Sequence, residues 1–151
     1  MPPDERLQKG SDAMNTAFLY PVLVQVALTF ALVIATGLTR TAAIRRGEVK
    51  VSEVALGQKA WPKRSMQFSN AYQNQLETPI LFYAGVLFAG VFGVAGDLLL
   101  TLAWVWVGLR IVHVVIHITT NHMLHRFAAF LASVLVLAAF WIFMAIEVLT
   151  R

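Results

Sequence analysis

The stretch Gln67–Pro79, QFSNAYQNQLETP, decides how this chain is read. It runs directly into an apolar segment, residues 80–95, of the kind that enters a membrane. Yet Gln67, Asn70, Asn74 and Glu77 follow one another at spacings of three, four and three. At about 100° per residue these side chains fall along one stripe of a helix. A charged group at the bilayer centre costs roughly 2.5–3.5 kcal/mol on insertion scales, so an acid near that depth is expected to face a partner or a wet cavity.

Composition agrees with a membrane setting. The 151 residues are 58% hydrophobic and 13% charged, against about 45–50% and about 25% for an ordinary soluble domain. One domain is expected over 1–151. Cysteine is absent, which excludes disulfides, thiolate metal sites and a protein cysteine nucleophile. The net charge is +4, but seven of the twelve basic residues lie between Arg40 and Arg64, beside apolar spans. That placement speaks for topology and lipid headgroups rather than nucleic acid.

Four spans are expected, at about 16–38, 68–93, 98–119 and 127–149, after a short frayed polar tail. Each approaches or exceeds the roughly 20 residues that cross a hydrocarbon core. A cleaved signal peptide fits poorly, because the first apolar segment is too long and lacks a basic leader. The basic loop at about 40–65 places that side in the cytoplasm, with both termini on the other side. A bacterial inner membrane is the expected location. Gln25, the one amide in the first span, is read as a helix contact or as the lining of a pocket. Gly85, Ala89 and Gly93 form a small-residue ridge suited to close packing. Trp104 and Trp106 look interfacial.

The third span carries a second polar face: Arg110, His113, His117 and Asn121 follow at three, four and four. Glu77 and Arg110 alone could form an intramembrane salt bridge. Together with Gln67, Asn70, Asn74, His113, His117, Asn121 and Arg126, they make a donor and acceptor set able to bind a polar, zwitterionic or anionic molecule at the cytoplasmic boundary. His113 and His117, one turn apart, have a spacing that can share a metal, but no HExxH pattern accompanies them, and no metal is assigned.

The segment from Asn74 to Tyr83, NQLETPILFY, resembles the second-helix signature of the MAPEG family, membrane-associated proteins of eicosanoid and glutathione metabolism. Leu109–Arg126, LRIVHVVIHITTNHMLHR, looks most like the bacterial branch of that family. The resemblance implies an all-α integral membrane four-helix bundle assembled as a homotrimer, with glutathione as co-substrate near the cytoplasmic face. By the same resemblance, Asn74 and Glu77 match glutathione-contacting positions, and Arg126 matches the arginine that stabilises the thiolate. Asn70, Arg110, His113 and His117 complete the expected binding set. Asn70 stands where glutathione-using members carry an arginine, and no third-helix tyrosine is matched.

Three readings follow. The first is a glutathione-dependent transferase or peroxidase acting on lipophilic electrophiles that arrive through the membrane lipid. The second is a non-catalytic protein of the same fold, whose polar network is structural or binds a small anion or headgroup. The third is a small multidrug-type transporter with Glu77 as its proton site.

Overall fold

A computed structural model describes residues 3–55, 61–94 and 96–150, with backbone only for 3–15. The order is α1 (Pro3–Arg45), α2 (Val51–Val54), α3 (Lys63–Asn74), α4 (Thr78–Val91), α5 (Asp97–Ile118) and α6 (Met123–Leu149). No strand occurs among the described residues. Three helices are long and apolar enough to cross a membrane: Thr16–Arg45 within α1, α5 and α6.

The tail expected to fray is helical from Pro3 onward, continuous with the first apolar span. Strong helix formers such as Leu, Gln, Lys and Ala fill much of that stretch, so nothing local stops the helix. At the other end α1 closes on Gly47, whose φ is +70°. The Gly47 and Glu48 amides donate back to the carbonyls of Ile44 and Ala43, so the terminal carbonyls are satisfied. In the loop beyond, the Arg46 guanidinium donates to Glu48 and holds that carboxyl below its ordinary range. The Arg40 guanidinium lies 4.9 Å over the Trp61 ring and donates to Ser69 Oγ at 2.9 Å, tying α1 to α3.

The single span expected at 68–93 is broken in two. Helix α3 ends at Asn74, and α4 begins at Thr78 with Pro79 in its first turn. The proline explains the interruption: it has no N–H for the Gln75 carbonyl, and its ring would clash there. Glu77 becomes the N-cap residue of α4, with φ −94° and ψ −87°, and leaves the helical stripe it was assigned. At 1.5 Å per residue the 14 residues of α4 reach only about 21 Å, short of the ~30 Å hydrocarbon core.

Helix α4 ends on Gly93, φ +65°, with Val94 N–H donating to Ala89 and Gly93 N–H to Gly90. That pair of bonds is a Schellman closure, for which glycine at the left-handed position carries no steric cost. Gly93 therefore belongs to a turn and not to the packing ridge. Gly85 does pack: a Cβ there would lie 3.0 and 3.3 Å from ring carbons of Phe140 and 3.3 Å from Trp141. The ridge brings α4 against α6 within one chain.

The main core gathers Phe82, Leu99, Ala103, Trp106, Val107, Leu137 and Phe140 from α4, α5 and α6. Trp106 is not interfacial. It is buried and stacks on Phe82 with centroids 4.2 Å apart and planes at 17°. Trp104, on the outer face of α5, is exposed. A smaller cluster of Leu32, Ala71 and Val114 joins α1, α3 and α5. The polar residues lie beside this second cluster, where α3 replaces an apolar helix.

Candidate polar cleft

Arg110 is the centre of the polar region. It is fully buried on α5 and donates from Nη2 to the Asn74 carbonyl at 2.9 Å and to Asn74 Oδ1 at 2.7 Å. Asn74 closes α3, so a cation meets carbonyl groups at a helix C-terminus, where the helix dipole favours positive charge. Its Nε and Nη1 have no partner among the described residues. The depths agree: Arg110 is 13 residues into α5, about 20 Å from its start, matching the about 21 Å of α4.

One and two turns further along the same face stand His113 and His117, both buried, with ring centroids 5.6 Å apart. Arg126 Nη1 lies 3.1 Å from His117 Nε2 and donates to Asn121 Oδ1 at 2.8 Å. Arginine has no acceptor, so Nε2 of His117 must accept, which makes the imidazole neutral with its proton on Nδ1. That Nδ1, and Nδ1 of His113, are buried without a partner among the described residues. Asn121 takes φ +50°, a region asparagine tolerates better than most residues, and so turns the chain from α5 toward Arg126. His125 and Arg126 lie in the first turn of α6.

A cleft of about 320 Å³ opens among Asn70, Asn74, His113, His117, Met123, Arg126, Phe127 and Phe130. Its α3 and α5 walls are polar. Its α6 wall supplies Arg126 together with Met123, Phe127 and Phe130. A second cleft of about 320 Å³, lined by Lys63, Met66, Gln67, Asn70 and Asn121, adjoins it through Asn70. Gln67 and Arg64 hold α3 to the end of α5 there, donating to the carbonyls of His117 and Ile118 at 2.6 and 2.7 Å. A larger cleft of about 450 Å³ between α1 and α4 is lined by residues such as Phe18, Val22, Val86 and Leu87 and carries little polar chemistry.

Of the seven residues singled out from the sequence, Asn70, Asn74, His113, His117 and Arg126 share the first cleft. Arg110 does not line it but grips Asn74, which does. Glu77 is exposed and forms no salt bridge among the described residues, although it lies near enough to Arg110 for the two charges to interact. Among those residues no group of three or more His, Asp or Glu converges on a metal position. The sequence reading did not include Met123, Phe127 and Phe130, which look like ordinary apolar residues in the sequence. It also passed over Gln75, which lies off the stripe inside the opening motif.

Three membrane-length helices with a half-polar cleft among them fit an integral membrane protein. The particular family follows from comparison: residues 18–146 match the model of the MAPEG family, and the chain belongs to that family, which includes glutathione transferases and peroxidases. No curated protein and no solved structure matches the chain.

Proposed function

We propose that this protein is a glutathione-dependent transferase or peroxidase that acts on lipophilic electrophiles and works as a homotrimer. The observation that carries the reading is the cleft itself, where Arg126, His117, His113, Asn70 and Asn74 oppose Met123, Phe127 and Phe130. Such walls suit a polar thiol compound on one side and an apolar acceptor on the other. The donor set fits the carboxylates and sulfur of the tripeptide, and the unpartnered imidazole nitrogens are groups a ligand can satisfy.

When bound, the tripeptide's thiol supplies the nucleophile, since the chain has no cysteine of its own. Arg126 favours a nearby thiolate by charge and lowers a thiol pKa from about 8.5. His117 holds that guanidinium in place and presents its Nδ1 proton. Asn74 is fixed by Arg110 before any ligand arrives, so its ordering cost is already met by the fold. Glu77 suits the ammonium group of the tripeptide, and its exposure on a single chain fits use at a boundary between subunits. An acid left against lipid would cost roughly 2.5–3.5 kcal/mol, which favours a neighbouring copy over hydrocarbon.

The deciding experiment is retention of detergent-purified protein on glutathione-agarose, compared with Glu77→Ala and Arg126→Ala. Specific retention weakened by both changes is the expected result. No retention, or retention indifferent to both, removes the enzyme reading. It would favour the second reading, a non-catalytic anion or headgroup site, for which Asn70 in place of an arginine is the supporting observation.

A further inference from the structure

Gln25 has no part in the cleft, yet among the described side chains of α1 it is the most fully buried polar group. It lies at 0% exposure, its partner Gln75 at 1%, and Gln25 Nε2 donates to Gln75 Oε1 at 2.8 Å across a separation of 50 residues. It lines none of the three clefts described above. Burying an amide without partners costs about 1–3 kcal/mol by mutational measures. Here two amides are buried to make one bond, leaving Gln25 Oε1 and Gln75 Nε2 without partners among the described residues. For adhesion between α1 and α3, apolar packing like that around Leu32 and Ala71 would serve with no such penalty.

The location accounts for the arrangement. Gln75 is the C-cap residue of α3 and the first residue of the break. Its neighbour Asn74 is held by Arg110 from α5. The end of α3 is thus gripped on two flanks, by α1 through Gln75 and by α5 through Asn74. A helix interrupted by proline has no ladder bond to fix the angle between its halves, so side chains from neighbouring helices must do so. We infer that Gln25 is a positioning residue: through Gln75 it sets the geometry of the α3–α4 break and so places Asn74 in the polar cleft. Its consequence for glutathione rests on the function proposed above, whereas its consequence for the break does not.

The native absence of cysteine permits clean spin labelling. Labels at Lys63→Cys and Val91→Cys, both exposed and at opposite ends of the two half-helices, report the break angle when labelled chains are diluted with unlabelled ones. Gln25→Met, of similar length but without the amide, is expected to broaden the distance distribution. Gln25→Glu, whose neutral carboxyl form offers an O–H donor to Gln75 Oε1 at the same reach, is expected to restore it. In parallel, Gln25→Met should raise the glutathione KM about tenfold with kcat little changed, equivalent to about 1.4 kcal/mol of positioning. Gln25→Asn, too short for the same gap, replaces Gln25→Met if that variant does not accumulate.

An unchanged distance distribution in the amide-free variant overturns the proposal. So does a broadened distribution with glutathione KM unmoved, which would make the pair a brace with no bearing on the cleft. If the unaltered protein binds no glutathione, the enzymatic reading fails on its own, and the label distances still decide whether Gln25 sets the break.

Discussion

Asn74 and Asn70 stand one turn apart on α3 and both line the cleft, yet their surroundings differ. Asn70 is exposed, whereas Asn74 receives two bonds from a buried guanidinium. Hydrogen bonds to charged groups are worth about 1.5–3 kcal/mol, and removing the Asn74 amide takes one of two acceptors from a buried cation, leaving the backbone carbonyl. Asn74→Ala is therefore expected to lower stability by about that much, read as a fall in thermal midpoint in detergent, while Asn70→Ala leaves the midpoint within error. Equal effects at both positions would contradict the role given to Arg110. Arg126→Lys tests a different geometry. It keeps the charge but replaces the planar fork that reaches His117 and Asn121 together. A thiolate absorbance band on glutathione binding is expected to weaken in Arg126→Lys and vanish in Arg126→Ala.

Among elements, the contact between α4 and α6 turns on Gly85. Alanine in a helix interior gains up to about 1 kcal/mol in propensity over glycine. A methyl there meets Phe140 and Trp141 at 3.0–3.3 Å, and overpacking a filled core costs about 1–3 kcal/mol. The clash is expected to win, since Phe140 is itself buried: Gly85→Ala should lower the thermal midpoint, and Phe140→Leu should recover part of the loss in the double variant. Gly85→Ala that stabilises would show the ring free to move. This scale also shows what the sequence disclosed. The positions 67, 70 and 74 were legible as a stripe because α3 is a regular helix through all three. Glu77 was misplaced on that stripe because helical periodicity was carried past a point where Pro79 removes the next ladder bond. Trp106 was assigned to the interface from residue type, but its depth depends on Phe82 from another helix, which periodicity within one span cannot reveal. Gln75 was passed over for the same reason, its partner lying 50 residues away.

For the whole molecule, the apolar spans and basic loop were plain in composition, because hydrocarbon selects residues by polarity alone. Assembly and orientation depend on surfaces that a single chain leaves open. With Glu77 exposed near membrane depth, chemical cross-linking in detergent is expected to stop at three subunits, and a stable dimer would contradict the proposed trimer. Orientation has its own test. A lone thiol at Ser52→Cys, exposed on α2, should react with a membrane-impermeant maleimide only when the face expected to be cytoplasmic is accessible.

The shortness of α4 carries a consequence for how the chain is made. Placed in hydrocarbon without α5, a 14-residue segment that starts at a proline break would leave the carbonyl end of α3 without the guanidinium that meets it in the fold. The cation that quiets the end of α3 arrives only with α5, thirty-six residues after Asn74. Insertion of α4 and α5 together, as a hairpin, is therefore the expected route, since only then does the end of α3 meet its guanidinium.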